Sequence, residues 1–326
     1  MVGRSTPLFV LPLAGAVAAA FGGVLLRLGV AAAAGFAVLL LLGLVASVLA
    51  VGLLLSAPAR AAVGAPPSDL PGTTEDVAIP SASGAALRGW YAAPPQARGG
   101  VVLLHGAWSD RSMMLRRARL LSGQGFAVLL FDFQAHGESP GRRITFGKLE
   151  ALDARAALRF MRERHPAERV GVIGVSLGGA AALLGPEPLD ADALVLESVY
   201  PDIAGALANR LRVGLGPVLG PAAAPWLGAL FLRLLPPLLG VRRQDLRPIA
   251  RVGAVRAPLL VASGAEDDRT TIAEARELFT RAPGPKRFWA VPGVGHVDLE
   301  AHDPEGYRRV VLGFLADTLR RPEAGG

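Results

Sequence analysis

The sequence predicts an α/β fold, a mainly parallel sheet covered by helices on both faces, and three observations carry the prediction. Short runs of valine, leucine and isoleucine alternate with amphipathic stretches from about residue 100 to the C-terminus. Most of those runs are apolar on every residue, as strands buried on both faces are. In "GVIGVSLGGAA" (residues 171–181) such a run passes into a small-residue helix within one serine.

The elements follow in order. "VAIPS" and "ALRGWYAAP" read as an antiparallel pair. Then come "GGVVLLHG", a helix near 111–124, "FAVLLFDF", a helix near 147–165, "RVGVIGV", the helix after Ser176, "ALVLESVY", "PLLVASG", a helix near 272–281, "KRFWAVPG" and a final helix near 304–320. Residues 201–257 interrupt this rhythm. Their "PAAAPWLGALFLRLLPPLLG" is almost wholly apolar, with a helix stop expected near Leu235 from Pro236 and Pro237. Eight arginines against Asp202 and Asp245 give this stretch +6 of the chain's net +7.

Ser176 sits between Gly174 and Gly178 where strand becomes helix. That junction forces a strained backbone at the serine, lifts its oxygen clear of the sheet and aims it near free helix N–H groups, Leu177 N–H among them. A serine needs a base, and the base needs an orienting group. Of five histidines, His296 in "AVPGVGHVDLE" follows the last strand on a loop and is the expected base; His105, His136, His165 and His302 fit less well. In "PLLVASGAEDDRTT" a buried strand turns at Gly264 and presents Glu266, Asp267 and Asp268, of which Asp267 is the expected acid and Asp268 its rival.

The order Ser176, Asp267, His296, with the blocks "VVLLHGAW", "FDFQAHGES", "GVSLGG", "SGAEDD" and "VPGVGHVDL", resembles that of α/β-hydrolases of the serine hydrolase type. The resemblance runs from about residue 75 to 320 and is to enzymes similar to the bacterial hydrolases described as serine aminopeptidase-like or lysophospholipase-like. It implies the α/β-hydrolase fold with a helical cap at about 201–257. It also implies an oxyanion hole built from the backbone N–H groups of Ala107 and Leu177, and structural roles for His105 and His136. The sequence departs from the family at "DRTT", where a hydrophobic residue and a proline often follow the acid. A serine nucleophile argues against the dehalogenase and epoxide hydrolase branches.

The N-terminus raises a separate expectation. Residues 8–26 and 28–55 are uncharged, with Arg27 between them, and about 20 apolar residues suffice to cross a bilayer. A secretory leader has a shorter apolar core. Residues 1–55 are therefore read as a membrane anchor of one or two transmembrane helices. One span would place the hydrolase outside; two, with a turn at Gly22, Gly23 and Gly29, return it to the cytoplasm. The hairpin is preferred, since otherwise the apolar residues before Arg27 lack a partner. Residues 56–74, rich in Ala, Pro and Gly, read as a linker, and 75–326 as the hydrolase domain.

The expected chemistry is hydrolysis of a carboxylic ester, with a lipid-like acyl substrate suggested by the apolar cap and the anchor; a peptidase, an amidase or a non-catalytic binding protein are the alternatives. A basic composition without a nucleic-acid motif gives no reason to expect nucleic acid. No cofactor or metal is expected: "HVDLEAHD" is better explained by the triad. The absence of cysteine excludes disulfides and a thiol nucleophile.

Overall fold

Strands apolar along nearly their whole length belong in the middle of a sheet, and the computed structural model, which describes residues 30–319, places them there. β4 (Gly100–Leu104), β5 (Ala127–Phe131), β7 (Val170–Val175), β8 (Ala193–Glu197) and β9 (Leu259–Gly264) are buried at every position. β2 (Thr73–Pro80), β3 (Ala86–Ala93) and β10 (Lys286–Val291) complete an eight-stranded sheet of order β10-β9-β8-β7-β4-β5-β3-β2. β3 pairs antiparallel with β2 and β5, and every other pairing is parallel. The antiparallel pair at one edge and the strand–helix alternation are as the sequence predicts.

Because successive side chains point to opposite faces, the sheet divides two apolar layers. On one face Leu104, Leu129, Val172 and Leu196 meet Ala154, Leu158 and Leu183. On the other Leu103, Leu130, Ile173 and Val195 meet Leu121, Phe314 and Leu315. The helix predicted near 111–124 begins as a 3₁₀ turn, Arg111–Met114, before α2 (Leu115–Ser122). α3 (Lys148–Arg164), α4 (Leu177–Leu183) and α6 (Ile272–Arg281) stand where the periodicity puts them. The C-terminal helix is interrupted by a π turn at Arg308–Leu312.

α5 (Ile203–Leu238) forms the insertion between β8 and β9. Gly216, with φ +76° and ψ 179°, breaks it into two arms, and Gly220 lies so close to Arg212 that a Cβ would stand 2.6 Å from the Arg212 carbonyl oxygen. The second arm does not end near Leu235. It runs to Leu238, because Pro236 and Pro237 occupy its last turn, which Leu239 N–H closes on the Leu235 carbonyl at 3.1 Å.

The chain divides into two compact units, residues 1–51 and 52–326. The described part of the first belongs to helix α1 (Val30–Leu55), 26 residues without a charge, long and apolar enough by length and composition to cross a membrane. The earlier apolar stretch 8–26, with Arg4, Arg27 and the glycines of the expected hairpin turn, lies outside the described residues. Residues 56–74, expected as a linker, are held along the second unit: β1 (Ala59–Arg60) pairs with β6 (His136–Gly137), Arg111 Nη2 donates to the Gly64 carbonyl at 3.3 Å, and Leu70 is buried.

Candidate active site

Ser176 lies between β7 and α4 with φ +49° and ψ −109°, a left-handed backbone that a serine adopts only where its surroundings hold it. Its N–H donates to the Glu197 carbonyl at 2.8 Å, tying the turn to the end of β8. The flanking glycines are required by contact: a Cβ on Gly178 would stand 2.3 Å from the Leu104 carbonyl oxygen, and one on Gly174 would stand 2.6 Å from Gly179. Among the described residues nothing hydrogen-bonds the Ser176 hydroxyl, which faces open cavity.

His296 and Asp267 meet beside it. His296 Nδ1 is 2.8 Å from Asp267 Oδ2, while Asp267 Oδ1 accepts the Arg269 and Thr270 N–H groups at 2.9 and 2.8 Å. Burial would raise the Asp267 carboxyl, but its bonds to His296 and these amides outweigh that and hold it below the usual carboxylate range. Backbone bonds cause the convergence. Ala265 N–H donates to the Val291 carbonyl and Glu266 N–H to that of Val294, so the acid turn and the histidine loop travel together. Gly264 permits this, since a Cβ there would lie 2.3 Å from the Val294 oxygen. Glu266 and Asp268, the other acids of the turn, point to solvent. Ser176 and His296 line one cavity of about 330 Å³ without a direct hydrogen bond between them.

Ala107 and Leu177 flank Ser176 on the walls of a second cavity, and His105 fixes the loop that carries Ala107. Its Nδ1 donates to the Gly106 carbonyl at 2.7 Å and its Nε2 accepts Phe133 N–H at 3.1 Å. Burial, together with the neighbouring His136, pushes the His105 imidazole down to about 3, so it stays neutral and structural. His136 Nδ1 donates to the Gln134 carbonyl at 3.0 Å, on the turn after β5.

The second cavity, about 100 Å³, is apolar. It runs from Ser176, Ala107 and Leu177 beneath both arms of α5, lined by Ile203, Ala206, Leu207, Phe231, Leu232 and Leu235, with Phe146 and Tyr200 beneath. Ser176 thus stands between a greasy chamber and a more polar one that holds His296.

Several contributors carry no sequence signal of their own. Trp108, at φ +57°, lines both cavities and donates Nε1–H to the Leu55 carbonyl at 2.8 Å. Arg117, fully buried, binds Glu197 Oε2 at 2.6 Å and Asp298 Oδ1 at 2.9 Å, and Tyr307 O–H donates to Glu197 Oε1 at 2.5 Å. Burial works against the Arg117 cation, but Glu197, Tyr307 and Asp298 raise it well above its usual range. Asp298 follows His296 by two residues, and the Glu197 carbonyl holds Ser176 N–H, so this network underlies both the Ser176 turn and the His296 loop.

Comparison with known proteins agrees. The profile of the alpha/beta hydrolase family matches residues 101–310. An uncharacterized protein of Mycobacterium tuberculosis is 33% identical over 249 residues, covering 74% of this chain and 79% of that protein. The uncharacterized protein YqkD of Bacillus subtilis is 25% identical over 241 residues, covering 73% and 77%. Among solved structures, an esterase from Pyrococcus furiosus superposes with a TM-score of 0.67 at 25% identity, covering 81% of this chain and 98% of its own. An acetyl xylan esterase from Paenibacillus sp. R4 shares the fold, with a TM-score of 0.56 at 21% identity over 74% and 84% of the two chains. By fold, by the turn at Ser176 and by these matches, the chain belongs to the alpha/beta hydrolase family.

Proposed function

We propose that this protein is a membrane-anchored serine hydrolase that cleaves carboxylic esters of apolar acyl chains, with Ser176, His296 and Asp267 as its triad. The observation that carries the reading is the position of Ser176. It stands on a strained turn, shares one cavity with an Asp267-bound His296, and opens on its other side into an apolar chamber. The similarity to an esterase of Pyrococcus furiosus supports an ester as substrate.

In this mechanism the acyl chain enters the chamber beneath α5 and leaves its carbonyl at Ser176. His296 accepts the Ser176 proton as the oxygen attacks, and Asp267 steadies the resulting imidazolium. The N–H groups of Ala107 and Leu177 receive the oxyanion, stabilising charge that develops only in the transition state. His296 then gives its proton to the leaving alcohol, and water repeats the sequence on the acyl-enzyme.

Membrane attachment rests on α1 and on the cap. Trp226 is 80% exposed and Val218 68%, near Arg212 and Arg233 in sequence, a mixture suited to an anionic lipid surface. The anchor and cap together favour a lipid-like ester over a peptide.

The test is labelling of the detergent-solubilised chain with a fluorophosphonate probe, followed by an ester panel of increasing chain length. Wild type should label, and Ser176→Ala and His296→Ala should not. Equal labelling of Ser176→Ala would reject the assignment of the nucleophile.

A further inference from the structure

Two guanidinium groups that line the cavity holding His296 form no ion pair with a carboxylate among the described residues. Arg210, on the first arm of α5, lines both cavities, and its one hydrogen bond among the described residues is from Nη1 to the Ala206 carbonyl at 3.1 Å. Arg269, exposed, lines the polar cavity alongside His296, and its side chain makes no ion pair among the described residues.

The carboxylates around them are already engaged. Asp267 holds His296. Glu274 Oε2 accepts Asn209 Nδ2 at 2.9 Å and the N–H and O–H of Thr271 at 2.8 and 3.0 Å. Asp298, on the same cavity wall, gives Oδ1 to Arg117 and to the Glu300 N–H. Neither guanidinium is thus tied up in an ion pair among the described residues, although Asp267 and Glu274 lie near enough to act on Arg210 through space, whereas the exposed Arg242 and Arg247 elsewhere on the cap segment pair with Asp245 and Asp202.

The position of His296 decides what they are for. The imidazole protonates the departing alcohol, so the leaving group lies on its side of Ser176 and the acyl chain on the other, apolar side. We infer that the leaving alcohol of the substrate carries an anionic group, a phosphate or a carboxylate, which Arg210 and Arg269 hold in the polar cavity. Guanidinium forks suit both groups, offering two parallel N–H donors to two oxygens. The inference rests on the ester-hydrolase reading and extends it to the alcohol half of the substrate.

The experiment uses the full chain in detergent and compares kcat/KM for 1-octanoylglycerol, its 3-phosphate, and an octanoyl ester of glycolate. These share an acyl chain and differ in the charge of the alcohol. At low salt the wild type should favour an anionic ester by about 10-fold or more, the worth of one charge-assisted contact. Arg269→Gln should reduce that ratio chiefly through KM, and the Arg210→Gln/Arg269→Gln pair should bring it close to one. Arg269→Glu, a change at an exposed position that folding tolerates, should push it below one. The phosphate and the glycolate arms tell which anion is preferred.

A wild-type ratio of one for both anions, or a ratio that survives Arg269→Glu, overturns the inference while Ser176-dependent cleavage of 1-octanoylglycerol leaves the hydrolase reading standing. Competition by millimolar inorganic phosphate without preference for the phosphorylated ester would assign the arginines to a free anion and overturn it also. Loss of Ser176-dependent cleavage on all three esters removes the reading on which it stands, and the inference with it.

Discussion

Replacing Arg117 with methionine removes the buried cation that ties Glu197, beneath the Ser176 turn, to Asp298 on the His296 loop. The guanidinium is fully buried, with Nη2 at 2.6 Å from Glu197 and 2.9 Å from Asp298, and its carbon lies 5.4 Å from the centre of the Tyr307 ring. Methionine fills part of the volume but leaves Glu197, 1% exposed at its side chain, with Tyr307 O–H as its remaining side-chain partner. Breaking a buried pair from one side costs about 3–5 kcal/mol, because the surviving charge stays desolvated. Against a domain stability of roughly 5–15 kcal/mol that is a large loss. At about 2–4 °C per kcal/mol for a domain of this size, the melting temperature should fall by roughly 6–20 °C. Adding Glu197→Gln removes the orphaned charge and should return part of that loss. The assay is thermal unfolding in detergent, paired with the rate of fluorophosphonate labelling well below the transition. Labelling should slow in Arg117→Met, since Asp298 loses the bond that steadies the His296 loop. A melting temperature within about 2 °C of wild type, in a protein of this size, would refute the reasoning that this pair is buried and mutually dependent.

Three further outcomes follow from the same geometry. Gly264→Ala places a Cβ 2.3 Å from the Val294 oxygen, so the His296 loop must move; a displacement of this order should lower kcat by about 10²-fold, measured on a soluble ester. Ala206→Phe fills the apolar chamber and should shift the chain-length profile toward short acyl groups, with octanoyl esters losing more kcat/KM than acetyl esters. Asp153 supplies a pH test. Burial raises its carboxyl from 3.8 to about 6 against the bonds it accepts from Ser81, Ser83 and Gln134. The folded state then binds the proton more tightly than the unfolded chain, so this contribution is full below the unfolded value and fades as pH rises through the folded one. The unfolding free energy of wild type relative to Asp153→Asn should therefore fall by about 2 kcal/mol between pH 4 and 7, measured by urea titration.

Much of the fold is legible because its strands are extreme. "VVLL" and "VGVIGV" have no polar face and can only be central, and the helix Ile272–Arg281 falls on the residues its periodicity names. That Ser176 and His296 should meet at one cavity is legible because a glycine-flanked serine and a loop histidine after a late strand have few alternatives. Asp267 is less so. Three acids share one turn, and it is the hydrogen-bonded pairing of that turn with the His296 loop that points Asp267 inward and leaves Glu266 and Asp268 outside. Arg117 shows the limit. α2 carries Arg116, Arg117 and Arg119, alike in sequence, yet Arg116 and Arg119 are about half exposed while Arg117 is buried. Its partners Glu197 and Tyr307 lie 80 and 190 residues away, a distance no local pattern spans. The cap is legible as an apolar insertion, but its helix runs three residues past the expected stop near Leu235, and its break at Gly216, where φ is +76°, has no local sequence signal because many glycines in the chain stay helical or extended.

The most direct test of the central claim is to trap the acyl-enzyme. The full chain in detergent is mixed with p-nitrophenyl octanoate, quenched in acid within a single turnover, and mapped by peptide mass spectrometry. The account predicts an octanoyl group on the peptide containing Ser176, absent from Ser176→Ala and strongly reduced in His296→Ala. Turnover of the ester with no adduct on Ser176, or with the adduct on another residue, would contradict it.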